Sequence, residues 1–284
     1  LRILMPLEEY TAAEHLVYRL EQQMLEQPIS PRAVLDLINL TTSLAKEGVD
    51  VSPDSVWERA ETLLRRGLEQ WPTETLLYMG LGRTLRRLRK IDEAIQIFDH
   101  GREITGESNS IDVHLQFHLR MACTFEYLDL RLSTIESLET EQRQIIIDET
   151  KQELDKIVPL AGETWHAHKI LGKIAMAQGQ WEVARAEFDS ASTKLSDTDA
   201  ELLLLSATMR IRLREYGAAT TRLKSLIEMV PTFQPPYREL ARLHLSLREL
   251  EEAEHLIEQI LKKDPKDRVG RLLMAELLAQ RDQF

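Results

Sequence analysis

This sequence has little of what most active sites are built from. One cysteine, Cys123, among 284 residues excludes an intramolecular disulfide and any multi-cysteine zinc site. A lone thiol fits a reducing compartment such as the cytoplasm, and equally a cysteine-poor periplasmic domain, so it leaves the localisation open. Glycine and proline are scarce, at 11 and 10 residues, in a composition crowded with Leu, Glu, Ala and Arg that favours helix throughout. Positive charge is in deficit. Against 47 Asp and Glu there are 36 Lys and Arg, a formal charge of -11, which is the reverse of what affinity for a phosphate backbone requires, so no nucleic acid is expected as a partner. Apolar runs such as residues 202–205 and 145–147 are far below the ~20 residues of a spanning helix, so no transmembrane segment is expected. No secretory leader is visible. A chain that opens on Leu1 reads as a processed protein or as a domain cut from a longer one.

Enzyme signatures are missing too. There is no glycine-rich phosphate loop after a strand, no nucleophile elbow and no His-Glu-x-x-His. Residues 101–106 (GREITG) carry two glycines but close a helical unit. His114 and His118 share one helix face with Cys123 nearby, yet a transition-metal site needs a third ligand in fixed geometry. His166 and His168 fall on opposite sides of a helix. No catalytic residue, metal or cofactor is expected, and the chain reads as a non-enzyme.

What is present is a period. Ala184 precedes Phe188 and Ala191, Ala219 precedes Leu223 and Leu226, and Ala253 precedes Ile257 and Ile260. Upstream, Ala94 precedes Phe98 and Gly101, and Ala60 precedes Leu64 and Gly67. Twelve places before four of these alanines stand Leu81-Gly82, Leu171-Gly172, Ser206-Ala207 and Leu240-Ala241. A proline or turn residue closes each unit: Pro72, Gly106, Ser196, Pro231 and Pro265. Self-similarity at this spacing marks stacked supersecondary units, none of which buries its apolar face alone. Small residues in facing helices let the backbones approach, with Phe188 filling the space beside them. Residues 179–182 (GQWE) form the turn between the two helices, Gly179 taking positive φ.

These residues resemble the tetratricopeptide repeat, whose pattern runs aromatic, Leu-Gly, aromatic, Ala, Phe, Ala, Pro. Tyr78 and Tyr237 fill the first aromatic place, and His168 and Leu203 stand there in their repeats. The resemblance implies an all-α fold, an α-α superhelix, as a right-handed solenoid of helix-turn-helix repeats. It divides the chain into N-terminal helices with a degenerate first repeat over 1–72, one repeat over 75–108, an extended repeat or insert over 109–164, three repeats over 165–267, and a C-terminal capping helix over 268–284. Within the first segment, 7–27 reads as one amphipathic helix, 32–46 as a second, and 48–53 as a loop. The insert reads as a helix over 112–130 and another over 138–158 stopped by Pro159. Between Leu132 and Pro159 it carries seven acidic residues against three basic ones, a solvated face or a partner surface. The capping helix is expected to be polar on its outer side, as solenoid ends require.

The resemblance also implies a binding groove lined by the leading helix of each unit. Carried over place by place, it holds Leu76, Met79, Arg83, Arg86 and Arg87, then His166, Lys169, Lys173, Met176 and Ala177, then Glu201, Leu204, Thr208, Ile211 and Arg212, then Pro235, Arg238, Arg242, Leu245 and Ser246. Lys and Arg far outnumber the single acidic member, Glu201, in a chain that is acidic overall. A concave surface of one sign focuses potential and draws the opposite charge, and arginine meets carboxylates bidentately. The candidate peptide-binding residues are Arg83, Arg87, Lys169, Lys173, Leu204, Thr208, Ile211, Arg212, Arg238 and Arg242, and the expected partner is an acidic protein or peptide segment held by a scaffold or adaptor. Each exposed charge pair contributes only ~0–1 kcal/mol, so several repeats must act together. The best-known peptide-binding members of the family clamp a terminal carboxylate with paired Lys and Asn. Lys169 stands in a matching place but Lys173 replaces the Asn, so that function is not carried over. A second reading takes the chain as the soluble repeat part of a larger bacterial envelope or polysaccharide-export assembly or enzyme, used for recruitment or self-association. The apolar opening LRILMPL motivates it.

Overall fold

A computed structural model of the chain describes residues 18–19, 21–24, 30–46, 53–104, 113–162, 164–194 and 199–281. Among these every regular element is helical. In chain order they are α1 (Pro31–Lys46), α2 (Pro53–Gln70), α3 (Thr75–Arg87), α4 (Ile91–Glu103), α5 (Val113–Thr134), a 3-10 turn (Ile135–Ser137), α6 (Thr140–Ala161), α7 (Trp165–Ala177), α8 (Trp181–Lys194), α9 (Ala200–Arg212), α10 (Tyr216–Met229), α11 (Pro235–Ser246), α12 (Leu250–Lys263) and α13 (Arg268–Arg281). The chain forms two compact units, residues 1–150 and 151–284, and the division falls inside α6.

The pairs α3/α4, α7/α8, α9/α10 and α11/α12 are the four repeats, and local chemistry sets their limits. Asp199 caps α9, its carboxylate accepting from the N–H groups of Glu201 and Leu202 at 2.8 and 3.1 Å, which satisfies donors that a helix start leaves unpaired. Pro235 and Pro236 open α11, where a missing N–H costs nothing. Each leading helix ends with one residue in the left-handed region: Arg89, Gly179, Arg214 and Arg248, at φ 62°, 72°, 61° and 59°. The next N–H then bonds back five residues, as in Lys90 to Leu85 O and Gln180 to Ala175 O, both 2.9 Å. This is the Schellman closure, and three of the four turns achieve it without glycine.

Inside the pairs, the small residues are explained by the ring beside them. A Cβ on Gly172 would lie 2.5 Å from the Phe188 ring, and one on Gly82 would lie 2.5 Å from Phe98. Both phenylalanines are fully buried. Where the leading helix carries Ala207 or Ala241 instead, the facing side chain is Leu223 or Ile257. The methyl group and the ring exclude one another, and each repeat uses one or the other. Tyr78 and Tyr237 staple neighbouring repeats by donating their O–H to the carbonyls of Pro72 and Pro231, at 3.0 and 3.1 Å.

The core of the first unit gathers Leu64, Leu77, Leu85, Phe98, Cys123 and Leu130. Burial pushes the Cys123 thiol up to about 12, so it stays protonated and acts as a packing group. In the second unit Phe188, Leu202 and Met209 form one cluster and Leu223, Leu240, Ile257 and Leu277 another. The middle segment departs from expectation in one respect. Pro159 does not stop α6, which continues to Ala161 and ends at Gly162 (φ 75°), whose N–H bonds Val158 O at 2.8 Å. A proline this close to the end removes only one helical hydrogen bond, and the left-handed glycine supplies the stop. Most of the expected 7–27 helix, nearly all of the 48–53 loop and the start of the 112–130 helix lie outside the described residues. No described helix is long and apolar enough to cross a membrane.

Candidate peptide-binding groove

In the first unit the candidates sit one turn apart on α3. Arg83 donates to Glu126 of α5 at 2.9 Å, and its neighbour Arg86 reaches the other oxygen of the same carboxylate at 3.1 Å. Arg87 lies over the Trp57 ring, 5.9 Å from its centroid, within the range of a cation–π contact.

In the second unit, Lys169 and Lys173 occupy successive turns of α7. Both are nine-tenths buried, and their ammonium groups converge on one carboxylate, Glu201, at 2.9 and 3.0 Å. Glu201 stands in the first turn of α9, where the partial positive charge of the helix start favours an anion. Its side chain is 37% exposed. Two lysines are thus held in the protein, and the carboxylate between them faces water. Leu204 and Ile211 are half-buried and pack on the core of the second unit. Thr208 turns its hydroxyl to Leu204 O at 2.9 Å. Arg212 lies over Trp181, 5.7 Å from its centroid. Arg238 pairs with Asp267, and Arg242 with Glu239 at 2.6 Å. Leu245 is buried in the core.

The structure therefore brings Lys169 and Lys173 together, while Arg212, Arg238 and Arg242 each have a separate partner. Every cation among the candidates meets an acidic or aromatic group of the chain itself. Asp267 does double duty, because it also caps α13 by accepting from Gly270 N at 2.6 Å. Burial alone would raise its carboxyl, but the Gly270 N–H and the Arg238 guanidinium carry it below the usual carboxylate value.

One charged cluster was not foreseen. Arg210 of α9 is buried and forks onto Asp189 of α8 at 3.1 and 2.7 Å, while Ser206 donates to the same carboxylate at 2.9 Å. Arg222 approaches it at 3.5 Å. Burial works to raise the Asp189 carboxyl, but these hydrogen bonds and the two guanidinium charges lower it overall. The signal was in the sequence. Ser206 stands where two other repeats carry the buried Leu81 and Leu240, and a polar group at a core place needs a partner. Among the described residues no group of three His, Cys, Asp or Glu side chains is placed to hold a metal ion.

Two family models described as tetratricopeptide repeat match residues 57–104 and 210–277. No curated protein sequence matches the chain. Among solved structures, it is similar to a tetratricopeptide repeat protein from Parabacteroides merdae, with 10% identity and a TM-score of 0.55 over 95% of this chain and 99% of that one. It is similar to yeast Tom70, with 16% identity and a TM-score of 0.55 over 96% of this chain and 60% of that one. PilW, a type IV pilus biogenesis factor, aligns at 15% identity and a TM-score of 0.54 over 84% of this chain and 98% of its own. At such identities these likenesses establish the all-α, α-α superhelix fold class and nothing narrower.

Proposed function

Since the chain belongs to the tetratricopeptide repeat family, whose members are generally non-catalytic protein-interaction scaffolds, we propose that it is an adaptor that binds an acidic segment of a partner protein along the leading helices of its second unit. The observation that carries this reading is the pair of buried lysines converging on Glu201. Burying a lysine costs several kcal/mol unless a charge compensates it, on the order given for desolvated ions. A pair held this way forms a preorganised carboxylate site whose ordering cost is met on folding rather than on binding. Glu201 occupies it from within, and a partner's carboxylate exchanges with Glu201 at little net electrostatic cost. Half-buried Leu204 and Ile211 supply apolar contact beside it, so the ligand alternates acidic and apolar side chains. Arg238 and Arg242 extend the attraction, each at the ~0–1 kcal/mol of an exposed pair.

The test is a titration with a fluorescein-labelled peptide of alternating Glu and Leu. Glu201→Gln removes the internal competitor, so it tightens binding several-fold while lowering the melting temperature. Lys169→Gln with Lys173→Gln abolishes binding. An affinity that is the same at low and high salt sinks the proposal, since exposed charge attraction is screened over about 10 Å at 0.1 M.

A further inference from the structure

Two of the groove arginines are held by a ring and by no acid. Arg87 is the last residue of α3, and its guanidinium lies 5.9 Å from the ring centroid of Trp57 of α2. Arg212 is the last residue of α9, 5.7 Å from the ring of Trp181 of α8. The two pairs are equivalent. Each tryptophan stands three places before the alanine of its repeat, Ala60 or Ala184, and each arginine closes the leading helix that follows. Where Tyr216 holds the tryptophan's place, the following helix, α11, ends in Ser246 instead. The first unit and the second thus carry one Trp–Arg pair each at this place.

Both arginines are exposed and both tryptophans are half-buried. Among the described residues neither guanidinium has an ion pair or a hydrogen bond. Arg83, Arg86, Arg238 and Arg242, by contrast, are all spent on carboxylates. A ring contact engages the guanidinium as a cation and leaves its N–H donors for another partner. It also restricts a long side chain before any ligand arrives, which lowers the ordering cost of binding.

We propose that Arg87 with Trp57 forms a carboxylate-binding site on the first unit, and that Arg212 with Trp181 is its counterpart on the second. The guanidinium takes the carboxylate in a two-pronged fork, and the exposed part of the indole takes an apolar side chain beside it. The ligand is therefore a Glu or Asp side chain of a partner protein, next to an aliphatic residue. The first-unit site shares no residue with Lys169, Lys173 and Glu201, so it stands or falls separately from the function proposed above.

The probe is the tripeptide Leu-Glu-Leu, acetylated and amidated so that its one carboxylate is a side chain. The full chain carries fluorotryptophan at its four tryptophan positions, and fluorine NMR resolves them, assigned through single Trp→Phe variants. One arginine fork gives a Kd on the order of 1 mM, so the titration runs to several times that concentration. The Trp57 resonance shifts saturably, and Leu-Gln-Leu leaves it in place. Arg87→Gln weakens binding by about tenfold or more, as loss of hydrogen bonds to a charged group requires. Arg87→Lys keeps the charge without the fork and weakens it severalfold. Arg212→Gln acts in the same way on the Trp181 resonance. Lys169→Gln with Lys173→Gln leaves the Trp57 response unchanged, so failure of the groove and failure of this site are told apart. Arg87 is exposed, so circular dichroism of its variants stays at the wild-type spectrum. A Trp57 resonance that does not move overturns the proposal, as does equal affinity in Arg87→Gln. An equal shift with Leu-Gln-Leu also overturns it, and leaves the indole as an apolar contact with no role for the charge.

Discussion

In repeat 165–198 the charge on the leading helix reaches forward, from Lys169 and Lys173 to Glu201 of the next leading helix. In repeat 200–233 it reaches backward, from Arg210 to Asp189 of the preceding trailing helix. The same helix-pair plan thus carries two buried cationic clusters with opposite consequences. Around Asp189 the carboxylate is saturated by Arg210, Ser206 and Arg222, which lock α9 to α8. At Glu201 the lysines are sunk into the protein and the carboxylate is 37% exposed against 30% for Asp189, so the two clusters differ in how the carboxylate is held, by two ammonium groups rather than by a guanidinium fork and a hydroxyl. The first arrangement is a structural tie. The second is, on the function proposed above, a site from which the anion can be exchanged.

The largest expected effect breaks that contrast. Asp189→Ala leaves buried Arg210 with Ser206 and a Glu215 carboxylate no closer than 3.9 Å, and losing the main partner of a buried charge costs about 3 kcal/mol. Glu201→Gln keeps a polar group between its lysines in contact with water and costs about 1.5–3 kcal/mol, on the scale of a lost hydrogen bond to a charged group. Thermal or urea melts of the two variants separate the roles. Equal losses would mean that Glu201 is as much a structural tie as Asp189, and would remove the basis for an exchangeable site.

The second contrast between these repeats is steric. Gly172 faces Phe188, whereas Ala207 faces Leu223. Gly172→Ala places a methyl 2.5 Å from the ring and destabilises by about 1–3 kcal/mol, the usual cost of overpacking. Adding Phe188→Leu rebuilds the pairing of the next repeat and recovers much of that loss. A double-mutant cycle measures the coupling, which exceeds about 0.5 kcal/mol if the two residues touch as described. An additive result would contradict the packing.

Acid sharpens the first contrast further. The Asp189 carboxyl titrates below its ordinary value in the folded chain. Its contribution is therefore fully present above the unfolded value of about 3.9 and is lost as pH falls through the lower folded value. Asp267, Glu61 and Glu254 are depressed as well, so the whole chain loses stability in acid. Asp189→Asn removes one share, and melting temperature plotted from pH 6 to pH 2 should fall less steeply than in the wild type. A variant curve parallel to the wild type would show that the Arg210 fork adds nothing in the folded state.

The fold was legible because the repeat constrains it at many places at once. Leu81-Gly82, Ala94 and Phe98 predict the same helix pair as Leu171-Gly172, Ala184 and Phe188, and the close contact of glycine and ring is visible as a residue pattern. Charge pairing was less legible. Lys169 and Lys173 read as groove cations because the carboxylate that holds them lies in the following repeat, and sequence place alone does not say which side chains bend toward each other. Ser206 in a leucine place pointed to the Asp189 cluster, but only the three-dimensional approach of α8 to α9 identifies the partner. The open face of α13 was hidden for a different reason. An apolar residue in the sequence does not say which way its helix face turns, and only the structure shows that Leu272 and Leu278 are exposed while Leu273 and Leu277 are buried.

The smallest expected effect concerns the turns, where the two repeats use Gly179 and Arg214 at nearly the same backbone angle. A side chain in the left-handed region costs about 1–2 kcal/mol, and a glycine gives back about 0.5–1 kcal/mol through the greater freedom of the unfolded chain. Arg214→Gly should thus stabilise by roughly 0.5 kcal/mol, and Gly179→Arg should destabilise by a similar amount, by the same balance. Neither residue touches Lys169, Lys173 or Glu201, so binding of the acidic peptide stays at its wild-type value in both. If Arg214→Gly instead weakens the peptide while leaving stability unchanged, that arginine is kept at a strained turn for recognition, and the binding surface extends from the leading helices onto the edge where the repeats turn.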